Sequence, residues 1–220
     1  RIVAERAPAP YADLPALSRR VGLTTAQLEA LATAGAFDSL GLDRRQAIWM
    51  AGYAEHDGQL PGSTPAPAPP SLPGMSAMEV TLADLWSTRI STDVHPVEHF
   101  REQLTAAGIR SVGELSTTEA GRRVHVAGLV THRQRPGTAS GITFLNLEDE
   151  TGMLNVVCSP GVMKAHRQAA RNKVAVVIRG VVERQDGVTN LVADRVETLD
   201  TVLPGTGDAL QARQSSRDFR

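Results

Sequence analysis

Thr143-Phe144-Leu145-Asn146-Leu147-Glu148-Asp149-Glu150-Thr151-Gly152-Met153-Leu154-Asn155-Val156-Val157-Cys158 decides how this 220-residue chain folds. Thr143, Leu145 and Leu147 alternate with Phe144, Asn146 and Glu148, the period of two that marks a half-buried strand. Thr143, Leu145 and Leu147 form the more apolar row and should face a core, which leaves Phe144, Asn146 and Glu148 outward. Glu148-Asp149-Glu150-Thr151-Gly152 reads as a hairpin turn and the residues to Cys158 as a returning strand. Upstream, Val124, Val126, Gly128 and Val130 alternate with Arg123, His125, Ala127 and Leu129, a long strand in which Gly128 suits a bend. Downstream, Gly161–Arg171 reads as a helix. Val174–Glu183 and Val188–Leu199 read as strands joined through Arg184-Gln185-Asp186-Gly187, where Asp-Gly is a hairpin signal. Three strands, a helix and two strands in 78 residues match the order and size of an OB-fold, a five-stranded barrel with its helix between strands three and four.

Toward the N-terminus the pattern changes. Residues 61–74 hold six of the 13 prolines, and no charged residue occurs between Gln59 and Met78. Proline fixes φ and removes a backbone donor, so 58–80 is expected to be an extended linker. Before it, Thr24-Thr25-Ala26-Gln27 and Asp43-Arg44-Arg45-Gln46 have the form of capping boxes. Leu28, Leu31 and Ala32 share a helical face, Gly35 fits a left-handed helix end, and Phe37 and Leu40 are placed to pack between the two helices. After the linker, Thr81–Ser87 and Pro96–Ala107 read as short helices, the second with Pro96 at its first position and Gly108 beyond its end. Ser111-Val112-Gly113-Glu114 is a third capping box. The chain thus divides into a helical segment (1–57), a Pro-rich linker (58–80), short connecting helices (81–121), the OB-fold (122–199) and a tail (200–220), an α+β multi-domain organisation.

Composition narrows the function classes. Hydrophobic residues make up 41% and charged residues 21%, ordinary values for a globular protein. No run approaches the roughly 20 apolar residues needed to cross a bilayer. Arg1–Arg6 has no signal-peptide core, so a cytoplasmic location without a membrane partner is expected. The chain opens on Arg1 rather than Met, which points to a segment of something longer. A single cysteine, Cys158, excludes an internal disulfide framework and a Cys-rich zinc site; at the end of an apolar strand it is expected to be structural. The net charge of −1 conceals a contrast: 58–121 carry three Arg against seven Asp/Glu, and 122–199 carry 11 Lys/Arg against seven. Such a basic segment is the footprint of a phosphate-binding surface, and equally of a solvated domain.

Within it, Phe144 faces out from strand two, where a base would stack on an OB-fold, or else it packs under a loop or against another domain. Arg122, Arg123, His132, Arg133 and Arg135 lie along strand one and its following loop, Gln134–Gly141. Their guanidinium forks suit phosphates or base faces, the alternative being a solvated face. Lys164, Arg167 and Arg171 recur at helical spacing as a basic stripe with the same two readings. Asn146 and Asn155 complete the candidate nucleic-acid-binding set. Glu148-Asp149-Glu150 does not converge on a metal, because consecutive strand residues point to opposite faces. His95 is placed as the cap before Pro96, and with His99 it lacks a third ligand type. No Gly-rich phosphate loop, G-x-S-x-G or convergent carboxylate pair occurs, so no catalytic residue and no cofactor is assigned to this chain.

Arg133-Gln134-Arg135-Pro136-Gly137-Thr138-Ala139-Ser140-Gly141, followed by Phe144-Leu145-Asn146-Leu147-Glu148-Asp149-Glu150-Thr151-Gly152, strongly resembles the C-terminal OB region of bacterial error-prone C-family DNA polymerases, paralogues of the polymerase III α subunit. Ala34-Gly35-Ala36-Phe37-Asp38 with Arg44-Arg45 is similar to the end of that family's helix-hairpin-helix region. His95-Pro96 resembles the opening of its pre-barrel helix, and Ser216-Arg217-Asp218-Phe219-Arg220 its terminus. The 21 Arg against two Lys suit a GC-rich genome such as an actinobacterial one. The resemblance implies a parent DNA-directed polymerase, using a divalent metal such as Mg, that adds nucleotides to damaged templates during induced mutagenesis. Its catalytic carboxylates lie in an upstream palm that nothing here matches. The loop motif together with the basic segment leads to single-stranded template DNA as the expected partner, stacked on Phe144 and held at its phosphates by Arg123, Arg133 and Arg135. Replicative relatives carry a sliding-clamp peptide, roughly Gln-x-x-Leu-Phe. Gln59-Leu60-Pro61 does not fit it, and Gln27-Leu28-Glu29-Ala30-Leu31 fits in part but lies within a helix. The resemblance therefore implies clamp contact only indirectly, through accessory mutasome subunits including a Y-family-like protein. Two alternatives stand beside it: a protein-docking platform that binds no DNA, motivated by outward Glu148 and Glu150, and the anticodon-binding OB-fold of a tRNA synthetase, against which the paired helices and Pro-rich linker argue.

Overall fold

Helices α1 (Ile2–Arg6) and α2 (Leu14–Val21) open the chain in a computed structural model that describes residues 1–53, 68–88, 90–91, 94–185, 187–211 and 217–219. α2 has no counterpart in the sequence reading. Asp13 caps it by accepting from the Ala16 NH at 2.7 Å, and Pro15 sits in the first turn, where a missing NH costs nothing. α3 (Thr25–Thr33) begins at a complete capping box: Thr24 Oγ1 accepts from the Gln27 NH at 3.3 Å and Gln27 Oε1 from the Thr24 NH at 3.0 Å. α4 (Arg44–Ala51) repeats the device with Asp43 and Gln46. Gly35 adopts φ 75° between them, and Phe37 is buried in one core with Leu14, Leu28, Ala32 and Ala47. Leu28 of the partial clamp-like peptide lies on this buried face.

α5 (Ala77–Thr88) starts inside the stretch expected to be linker. Ser76 and Glu79 form a capping box there, with Glu79 Oε2 accepting from the Ser76 NH at 2.8 Å. Asp84 then accepts from Arg44 at 2.7 Å and Glu79 from Arg45 at 2.7 Å, so α5 belongs to the unit Arg1–Ile90. Gln59–Pro61 and the rest of 54–67 lie outside the described residues.

The second unit, Ser91–Arg220, holds the barrel. The expected Pro96–Ala107 helix is a 3-10 turn (Glu98–Phe100) running into α6 (Arg101–Ala106), and the Val97 NH meets His95 Nδ1 at 3.2 Å. Ser111 and Glu114 form their box ahead of a 3-10 turn. The barrel strands are β1 (Arg123–Gln134), β2 (Thr143–Asp149), β3 (Gly152–Cys158), β4 (Ala175–Gln185) and β5 (Val188–Thr198). Their order is β2-β3-β5-β4-β1, closed by pairing of β1 with β2, which is the five-stranded OB barrel. Closure asks β1 to serve two neighbours. Arg123–Leu129 pairs with β4 and Leu129–Gln134 with β2, with a bulge between Val130 and His132. Gly128 sits at the crossing: a Cβ there would lie 2.6 Å from the Glu148 carbonyl oxygen and 2.8 Å from Leu147 Cγ. Thr143, Leu145 and Leu147 point inward and are buried, whereas Phe144, Asn146 and Glu148 are half-buried on the outside.

The single barrel helix expected over Gly161–Arg171 is two, α7 (Pro160–Ala165) and α8 (Arg167–Asn172), broken at His166 with φ −111° and ψ 32°. Asp186 of the β4–β5 hairpin lies outside the described residues, while Gly187 has φ 80°. α9 (Thr206–Gln211) follows the barrel, and the tail ends in β6 (Arg217–Phe219), paired in parallel with His132–Gln134 of β1. Among the described residues no helix is long and apolar enough to cross a membrane.

Candidate nucleic-acid interface

Pleating and register bring two rows together on the outer face of β1, β2, β3 and β5. One row is polar: His132 pairs with Asn146, Asn146 with Asn155, and Asn155 with Asn190. Asn155 Nδ2 donates to Asn190 Oδ1 at 2.8 Å. The adjacent row is Gln134, Phe144, Val157 and Val192, in the same order of strands. Phe144, Asn146, Asn155, Val157, Asn190 and Val192 are all half-buried, so each keeps a surface toward solvent. A platform with one aromatic and two valines beside a line of amides can stack an apolar ring face and hydrogen-bond its edge. Asn190, Val157 and Val192 are absent from the sequence-based set. Their period-two placement is visible in the sequence, but their neighbours are fixed by register alone.

The apolar row abuts a pocket. Thr143, next to Phe144, pairs with Cys158, two residues before α7 begins. Thr143, Gly141, Pro160 and Met163 line a space of about 260 Å³ together with Arg135, Lys164, Arg167 and Arg171. The basic stripe and the loop arginine thus meet, because α7 and α8 pack across the end of the barrel where the β1–β2 loop returns.

Two sequence-based assignments are corrected. Arg122, Arg123, His132, Arg133 and Arg135 do not cluster, since a strand rises about 3.3 Å per residue and β1 turns from β4 to β2 along its length. Arg122 and Arg123 lie at the far end. Arg123 Nε donates to Asp194 at 2.8 Å, and Arg179 Nε donates to the other oxygen at 2.6 Å. Burial would raise the Asp194 carboxyl, but hydrogen bonding and charge from Arg179, joined by Arg123, outweigh it and hold the group below its ordinary value. Arg133 is buried, not presented to solvent. Its Nε donates to the Ala170 carbonyl at 2.9 Å, and its guanidinium also donates to the Lys173 carbonyl. These carbonyls end α8 and lack intrahelical donors, so the guanidinium is consumed as a helix C-cap.

The acidic turn has its own structural partners. Asp149 is buried and accepts from the Val112 NH at 2.8 Å, the Thr151 NH at 2.8 Å and Arg101 at 3.1 Å, while Glu150 also accepts from Arg101. Among the described residues no group of three or more His, Cys, Asp or Glu is placed to hold a metal ion. Burial pushes the Cys158 thiol up to about 12, which keeps it protonated and inert.

Residues 124–199 match the family model described as OB-fold nucleic acid binding domain, and residues 1–47 that of the helix-hairpin-helix motif. The chain is 48% identical over 214 residues to the error-prone DNA polymerase of Corynebacterium glutamicum, which covers 96% of the chain and 20% of that protein. It is 46% identical over 223 residues to the error-prone DNA polymerase of Mycobacterium tuberculosis, covering 100% of the chain and 20% of that protein. The same protein from Cutibacterium acnes is 48% identical over 224 residues. The chain therefore spans about a fifth of the length of these curated relatives, and the resemblance to actinobacterial error-prone polymerases carried by Arg133–Gly152 holds along the whole chain. Among solved structures, asparaginyl-tRNA synthetase from Pyrococcus horikoshii matches 41% of this chain and 23% of its own at 22% identity and a TM-score of 0.35, too slight to bear on function.

Proposed function

We propose that this chain is a non-catalytic DNA-handling segment of an error-prone DNA polymerase acting in damage-induced mutagenesis and translesion synthesis, and that its barrel contacts single-stranded template. The observation that carries this is the pair of outer rows. Phe144 with Val157 and Val192 offers a stacking surface, and His132, Asn146, Asn155 and Asn190 offer donors and acceptors to base edges. Arg135, Lys164 and Arg167 supply the phosphate-facing charge beside it. The metal-dependent chemistry of the parent polymerase would reside outside this segment.

The test is a titration of labelled oligothymidylate by fluorescence anisotropy across a salt series. Binding should weaken steeply with salt as counterions are released. Phe144→Ala should cost about 1–3 kcal/mol of binding. No binding at low salt would remove the reading. The docking-platform alternative draws on Met153 and Val188, which are 70% and 56% exposed. It predicts capture of accessory mutasome subunits that is lost on deleting 200–220, with no oligonucleotide binding at all.

A further inference from the structure

The basic pocket carries more charge than a passing phosphodiester calls for. Its four cations come from three elements that meet only in the folded barrel: Arg135 in the β1–β2 loop, Lys164 on α7, and Arg167 and Arg171 on α8. No carboxylate is among the described residues that line it, and none of the four has a hydrogen-bond or ion-pair partner among the described residues. Elsewhere Arg44, Arg45, Arg101, Arg123, Arg179 and Arg195 each hold a carboxylate, and Arg133 and Arg184 donate to backbone carbonyls. All four are exposed, so water and salt screen their mutual repulsion, and an anion seated among them would relieve what remains.

We propose that this pocket receives the terminal phosphate of a nucleic-acid strand, a phosphomonoester, and so seats a strand end against the barrel. The inference rests on the reading that the outer rows carry the strand. Charge favours it first. A phosphomonoester bears about −1.5 to −2 at pH 7 with three acceptor oxygens, whereas an internal diester bears a single charge. Three guanidinium forks and an ammonium can saturate the three oxygens. Position favours it next. The Thr143–Cys158 pair is one register step beyond Phe144–Val157, so the pocket borders the apolar row, and the end of a strand stacked there has only that one step to cross to reach it. Shape agrees. Thr143 and Met163 are buried and close the inner wall, leaving about 260 Å³, enough for a phosphate and part of its sugar and too little for a duplex.

The experiment compares the full chain binding oligothymidylates of one length that end in a phosphate or a hydroxyl, tested at the 5′ and the 3′ end with the label on the other. One terminal phosphate should tighten binding roughly tenfold, the size of one added charge-assisted hydrogen bond. That preference should vanish in Arg167→Ala/Arg171→Ala and in Arg135→Ala/Lys164→Ala, while the hydroxyl-ended strand is weakened less. Phe144→Ala should weaken both oligonucleotides equally and keep their ratio. Equal affinity for phosphate and hydroxyl ends in the unaltered chain overturns the pocket assignment and leaves the outer face intact as the binding surface. No binding of either strand overturns both. Inorganic phosphate forms the last arm. If it erases the preference at concentrations equal to the oligonucleotide, the pocket reads a free ion and the strand-end assignment falls; a preference that survives it supports the assignment.

Discussion

The two ends of β2 hold charge in opposite ways. At the turn end, Asp149 is buried and accepts only from donors of its own unit: the Val112 NH, the Thr151 NH and hydroxyl, and Arg101. Arg101 is shared with Glu150. At the other end, beginning at Thr143, four cations surround an open pocket and meet no acceptor among the described residues. Charge satisfied inside the fold pins the pre-barrel segment to the barrel, and charge left unsatisfied at the surface is available to a ligand. Counting residues along the basic segment cannot separate these two uses, because Arg133 looks like Arg135 in sequence and is spent on helix carbonyls.

The largest expected effect breaks the turn end. Arg101→Ala leaves Asp149 buried without its cation and should destabilise the unit by about 3–5 kcal/mol, the usual result of removing one partner of a buried pair. Thermal or denaturant unfolding would read this. A change no larger than that of an ordinary surface substitution would mean the cluster does not hold the segment. The pocket should behave in reverse. Lys164→Ala/Arg167→Ala is expected to leave stability within about 0.5 kcal/mol. The salt dependence of single-strand binding should flatten by about 0.7 in log–log slope for each phosphate that is no longer neutralised. An unchanged slope would make the pocket a solvated surface after all.

The smallest effect sharpens the turn end through His95. Burial lowers its pKa from the ordinary 6.5, against the pull of Glu148, Glu150, Asp149 and Glu98. A depressed folded value means that the unfolded chain takes up the proton first. Stability should therefore be fully present above about 6.5 and be lost as pH falls from there through the folded pKa. Melting temperature between pH 7.5 and 5.5 would show it, and His95→Gln should remove that part of the slope. A slope that persists in the variant would assign it to other groups.

Much of the fold was legible because it is written locally. The Thr24 and Asp43 boxes formed with their Gln partners, and the Thr143–Glu148 alternation put Phe144 and Asn146 outside as the period of two requires. The misses share a cause. α2 and the start of α5 depend on Asp13 and Ser76 as caps beside prolines or within a Pro-rich stretch, where composition outweighed a single capping residue. The β6 strand exists through its pairing with β1, which no window of sequence contains, and no Gly or Pro marks the helix break at His166.

The candidate site divides along the same line. Sequence alone determined which residues alternate to the outside of each strand, that the barrel has five strands, and that its segment is basic, since these follow from backbone geometry and composition. Only the tertiary structure decided that Asn190 stands in line with Asn155, Asn146 and His132, that Arg123 pairs with Asp194 at the surface while Arg133 is buried against helix carbonyls, and that Arg135 meets Lys164, Arg167 and Arg171. The physical reason is that periodicity fixes the direction of a side chain relative to its own strand or helix. Register, barrel closure and helix placement fix its neighbours, and whether an arginine caps a helix or meets a ligand is a property of those neighbours.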